Sequence, residues 1–135
     1  MFRKKTKTDP TPVVNNATVN FPNGTIVETV SGKFYYIKND VRIEITDSVI
    51  LASWRVVNVP VFEDEALKHY LPAGTLKFRD GTVVSYDNKT YLASETKLRE
   101  ITDSRWYQWL NINSNDIIVV SKEIFDLHKL GEPLS

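Results

Sequence analysis

The chain has 135 residues, 41% hydrophobic and 25% charged, which fits one ordinary globular domain or two very small ones. It contains no Cys, so neither a disulfide nor a thiolate zinc site is available, and stability must come from packing around three Trp, six Tyr and six Phe. No run approaches the roughly 18 apolar residues of a membrane span, and the zero net charge is unevenly divided, residues 1–16 carrying +3 and the remainder −3.

The opening segment places Arg3, Lys4, Lys5 and Lys7 against Asp9, with no apolar run behind them, so it does not read as a secretory signal. Pro10, Pro12, Asn15 and Asn16 favour an extended path, and residues 1–16 are expected to form a flexible basic arm. A basic arm ahead of an acidic body suits docking on an acidic surface, such as that of a neighbouring copy. The same residues also read as a solubilising tail. Nucleic acid is a poor match, because the acidic body repels phosphate and leaves only the arm to bind it.

Beyond the arm the sequence repeats. Thr18, Phe21, Gly24, Thr25 and Val27 recur at an offset of 57 as Thr75, Phe78, Gly81, Thr82 and Val84. Lys33, Tyr35 and Glu44-Ile45-Thr46-Asp47-Ser48 then recur at an offset of 56 as Lys89, Tyr91 and Glu100-Ile101-Thr102-Asp103-Ser104. Ordered matches along both halves point to two tandem units, 17–73 and 74–135.

In chain order, Val19–Phe21 and Thr25–Val27 flank Pro22-Asn23-Gly24, as Leu76–Phe78 and Thr82–Val84 flank Arg79-Asp80-Gly81, predicting an opening hairpin in each unit. A strand at 33–37 and 89–93 and another at 41–45 and 97–101 complete a small antiparallel meander. The Ile-Thr-Asp-Ser block supplies capping side chains for a short helix where the strand pattern stops. A brief extended piece follows at 56–61 and 117–120. Acidic first turns then open a second short helix at 63–70 and 121–127, ended by Pro72-Ala73-Gly74 and Gly131-Glu132-Pro133. Gly131–Leu134 also matches the start of a further unit, so it is expected to pair as a closing strand. The fold class is α+β and β-rich: two tandem copies of a small antiparallel β-meander unit with short helices.

No nucleophile elbow or phosphate-cradling Gly-rich loop occurs, and the histidines, His69 and His128, lack the i, i+4 partner of a zinc helix. Asp47 and Asp103 are explained by capping. No enzyme activity, metal or cofactor is therefore expected. Arg105, Trp106, Tyr107 and Trp109 form the densest aromatic cluster, and helical spacing spreads the three rings over too wide an arc for all to enter a small core. Exposed Trp or Tyr beside Arg has the composition of a protein-interface hot spot and equally suits stacking on a sugar or a base, while the same rings also read as filling a groove between the two units.

The Gly-Thr-Val hairpin, Tyr-bearing strand, Ile-Thr-Asp-Ser cap, Ile117–Val120 strand and closing Leu130-Gly131-Glu132-Pro133-Leu134 resemble small repeats of bacterial cell-surface proteins and of some bacteriophage structural proteins. The resemblance covers residues 17–135 and carries no catalytic residue. With a basic arm in place of a secretory signal, it implies a virion component: a capsid-decorating or tail or neck connecting protein, made in the host cytoplasm and bound in many copies to other virion structural proteins. The alternative it leaves is a non-catalytic cell-wall or glycan binding module.

Overall fold

The computed structural model describes residues 18–56 and 58–134. The protein is β-rich, with two five-stranded mixed sheets and a few short helices. It divides after Leu76 into two compact units. That division lies slightly beyond the expected 73/74 boundary, and Leu76 belongs to the first sheet: its N–H donates to Glu44 O at 2.8 Å and its side chain is buried.

In the first unit the strands are β1 (Ile26–Thr29), β2 (Phe34–Lys38), β3 (Val41–Ile45), β4 (Val61–Phe62) and β5 (Leu71–Thr75), in the spatial order β4-β1-β2-β3-β5. The centre, β1-β2-β3, is the antiparallel meander read from the sequence. The edges correct that reading, since β4 runs parallel to β1 and β5 parallel to β3. Parallel neighbours cannot be joined by a tight turn and need a crossover. Helix α1 (Ser48–Ser53) lies on the crossover from β3 to β4, and a 3-10 turn at Asp64–Leu67 lies on the return to β5.

The second unit follows the same path through β6 (Val83–Tyr86), β7 (Lys89–Ser94), β8 (Lys97–Glu100), β9 (Ile118–Val119) and β10 (Lys129–Leu130), ordered β9-β6-β7-β8-β10. Registers agree residue for residue: Val27 faces Tyr35 and Tyr35 faces Glu44 in one, Val84 faces Tyr91 and Tyr91 faces Glu100 in the other. Its crossovers carry α2 (Arg105–Trp109) with a 3-10 turn at Ser114–Asp116, and then α3 (Lys122–Asp126). Gly131 N–H donates to Leu98 O and Leu134 N–H to Glu100 O, so the C-terminal residues close this sheet beside β8.

Asp47 caps α1 as expected, whereas Ser104 holds the N-cap position of α2 without a side-chain cap bond and Asp103 reaches the first helical amide from one residue earlier. Asp47 Oδ1 accepts from Val49 N–H at 2.7 Å, and Asp103 Oδ1 from Arg105 N–H at 3.0 Å. Two local expectations need correction. The segments 19–21 and 76–78 are not strands. Only the turn forms, with Gly24 at φ +88° and Gly81 at φ +91°, and it is fastened to the end of the next strand by Gly24 N–H to Ile37 O and Gly81 N–H to Ala93 O. The lead-in segments instead bend inward, and their backbone amides are satisfied by side chains: Phe21 N–H donates to Tyr70 Oη at 2.7 Å and Phe78 N–H to His128 Nε2 at 3.1 Å. Pro72-Ala73-Gly74 is likewise not a helix stop but part of β5. Proline is tolerated there because β5 is an edge strand with only one hydrogen-bonded neighbour.

Cores form within each unit. Val27, Ile37, Leu67 and Tyr70 pack together in the first, with Phe21, Tyr35 and Phe62 against them. Val83, Ile101 and Leu134 pack in the second, with Leu92, Trp106, Tyr107, Ile112 and Ile117. Burial of one such aliphatic or aromatic side chain is worth about 1.5–3 kcal/mol. One difference between the matched strands changes a buried position: Arg42 donates Nη1–H to Leu67 O at 2.9 Å and lies over the Tyr35 ring, where the second unit places the fully buried Leu98.

Two of the hairpin turns in the second unit hold non-glycine residues in the left-handed region. Asp87 and Asn88 suit it, whereas Thr96, at φ +67°, is β-branched and strained there. Thr96→Gly is expected to raise stability by about 1 kcal/mol, read as a higher urea midpoint at unchanged m-value. Asp47→Ala is expected to lower it by about 1 kcal/mol through loss of the α1 cap, read in the same titration.

Candidate interaction surface on the second unit

Helix α2 leaves β8 through Ile101-Thr102-Asp103, and Thr102 Oγ1–H donates to Leu134 O at 2.8 Å, which ties the start of the crossover to the closing segment. Asp103 then holds the first residue of the helix twice. Besides the bond from the Arg105 amide, its carboxylate takes a forked pair from the Arg105 side chain, with Nη2 to Oδ2 at 2.6 Å and Nε to Oδ2 at 3.0 Å. These side-chain bonds, with the bond from the Arg105 amide, hold the Asp103 carboxyl down at about 2, and the side-chain bonds push the guanidinium up. With the folded carboxyl below its ordinary 3.8, the pair is intact above that value and is lost only as the pH falls toward about 2.

Pinned in this way, the Arg105 guanidinium sits over the Trp109 ring at 5.1 Å from its centroid, and Trp106 meets Trp109 edge to face at 5.1 Å. The four candidate residues are thus brought together but divide by role. Trp106 and Tyr107 are half-buried and packed against the Val83, Ile101 and Leu134 core. Arg105 is exposed, Trp109 is 58% exposed, and the next residue, Leu110, is 41% exposed. Leu110 was not singled out from the sequence, and its position at the end of the helix was the available signal. The arm residues Arg3, Lys4, Lys5 and Lys7 lie outside the described residues.

The first unit serves as an internal control on what the fold requires. In the matching helix, Ile50 takes the place of Trp106 and is fully buried, and Leu51 takes the place of Tyr107. Ser53 stands where Trp109 is, and its hydroxyl turns back to donate to Ile50 O at 2.6 Å. The matching crossover therefore needs apolar residues at the Trp106 and Tyr107 positions but no aromatic at the Trp109 position. Trp106 fills its place imperfectly, since its indole N–H is buried without an acceptor among the described residues.

Elsewhere the histidines serve packing. His69 lies against the Tyr70 ring and pairs with Asn20 Oδ1, and His128 is buried beside α3. Among the described residues no group of three or more His, Asp or Glu is placed to hold a metal, and no helix is long and apolar enough to cross a membrane. No protein-family model, curated protein or solved structure matches the chain.

Truncation separates the two roles within the cluster. Trp109→Ala is expected to change unfolding free energy by no more than about 0.5 kcal/mol, as for a surface position, whereas Trp106→Ala costs at least about 2 kcal/mol. Trp106→Phe, which removes the unsatisfied N–H and keeps a ring, is expected to cost less than about 1 kcal/mol. Parallel urea titrations of the three variants measure the difference.

Proposed function

We propose that this chain is a non-enzymatic assembly protein of a phage particle, a capsid-decorating or tail or neck connecting component. In this reading the exposed face of α2 docks on another virion structural protein while Arg3, Lys4, Lys5 and Lys7 anchor the chain to an acidic neighbouring surface. The observation that carries the binding role is the pinned Arg105–Trp109 pair with Leu110 beside it, at a place where the first unit manages with a serine. A large rigid aromatic already stacked on a fixed guanidinium loses little side-chain freedom on binding, which is the property of an interface hot spot.

We also infer that the two units are copies of one ancestral unit. The shared strand order, the matched registers and the paired aspartates that each accept from the amide two residues on support this, alongside the sequence offsets of 57 and 56. Copies of a small scaffold, one bare and one bearing an aromatic face, suit a connector that is held at one place and recognises at another. Many copies on a symmetric shell then turn modest single contacts into firm attachment. A glycan or cell-wall ligand is the second reading, favoured by the same exposed indole beside a polar Asp103–Arg105 pair.

Particles assembled with variant protein test the reading. Trp109→Ala and deletion of residues 1–16 are each expected to cut incorporation at least tenfold with the body still folded. Normal incorporation of both variants would refute the assembly role. Loss of binding to purified cell-wall polymer on Trp109→Ala, with incorporation unaffected, would transfer the surface to the glycan reading.

A further inference from the structure

The lead-in segment of each unit is fastened by one side chain that follows the second crossover, and the two units use different chemistry for it. In the first, Tyr70 Oη accepts from Phe21 N–H; in the second, His128 Nε2 accepts from Phe78 N–H. Both fasteners are buried, His128 at 7% exposure. An amide N–H can only donate, so Nε2 must carry no proton. The ring proton then sits on Nδ1 and donates to Ile124 O at 3.0 Å, while the ring stacks on Phe78 at 5.0 Å and 14°. Both ring nitrogens are committed, and the neutral tautomer is fixed by geometry.

A second proton on this ring has to go onto Nε2, where it meets the Phe78 N–H as donor against donor. We propose that His128 is an acid-operated latch, whose protonation releases Phe78 and the lead-in of the second unit while Tyr70 keeps the first unit closed.

Among the described residues, the charge that acts on His128 is Lys77 on the lead-in segment, which disfavours its protonation. On α3 Lys122 and Asp126 are paired with each other at 2.6 Å on the exposed face, with Glu123 in the first turn. Lys129 follows on β10. Burial is the main cause that pushes the imidazole below its ordinary 6.5, Lys77 adds to it, and the Ile124 carbonyl opposes it. A base whose folded value is depressed contributes stability in full above its unfolded value, so the latch holds above about pH 6.5 and weakens as the pH falls below it. Tyrosine hydroxyl does not titrate in this range.

Amide hydrogen exchange on the full chain, with protection factors corrected for intrinsic rates at each pH, tests the latch. Between pH 7.5 and 5.0 the protection of Phe78 is expected to fall at least about tenfold, while that of Phe21 changes by less than about twofold. In His128→Tyr, which copies the first unit, the acid loss should vanish; His128→Gln, an acceptor that does not titrate, serves the same purpose if tyrosine is not accommodated. An NMR titration should place His128 below the ordinary imidazole value of 6.5. Equal pH response of the two amides, an acid loss that survives in the variants, or a His128 that titrates at or above the ordinary 6.5 would each overturn the proposal.

Discussion

Each unit depends on one constraint of sheet chemistry. The two edge strands run parallel to their neighbours, so the chain must cross the sheet twice, and every short helical segment among the described residues lies on one of those crossings. This explains why helices of only a few residues persist although isolated ones would be unstable: they are held at both ends by strands, with Asp47 capping α1, Ser121 capping α3, and Asp103 bonded to the first amide of α2. The position of α2, and with it Trp109, follows from that path. So does the location of Tyr70 and His128, which close each unit after its second crossing and satisfy the amide of the inward-bent lead-in.

Having the same path twice in one chain separates what folding demands from what it does not. Positions that keep their character across the units, such as Val27 and Val84 or Ile45 and Ile101, carry the cores. Where character changes, the change has a local account. Arg42 replaces a buried leucine and answers with a bond to the Leu67 carbonyl and a stack on Tyr35. His128 replaces a tyrosine and keeps its acceptor role while becoming titratable. Trp109 replaces a serine and is exposed, with no packing role comparable to that of Trp106.

Much of this architecture was legible in the sequence because its signals are local. Alternating apolar residues gave the central meander, Asp-Asn and Ser-Gly gave its turns, and Thr-Asp-Ser gave the helix caps. Parallel edge pairing was not legible: two-residue strands such as Val61–Phe62 carry no period, and their partners are fixed by distant hydrogen bonds. Pro72-Ala73-Gly74 misled because poor strand formers are tolerated at an edge. The Val19–Phe21 segment misled because its alternation reflects an inward bend closed by a side chain some fifty residues away, |i−j| = 49 for Phe21 and Tyr70. For the candidate site, the cluster of Arg105, Trp106, Tyr107 and Trp109 was visible as composition, but its division into two core residues and an exposed pair needed the register of α2 against the core.

The central claim is that the Arg105–Trp109–Leu110 face is covered when the protein does its work. Hydroxyl-radical footprinting of the free chain and of assembled particles, read by mass spectrometry at residue level, tests this directly. The account predicts strong labelling of Trp109 and Leu110 in the free chain and clear loss of it in particles, with Leu71 on β5 as an exposed reference for the unit without the aromatic face. Trp109 labelled equally in both states would contradict it.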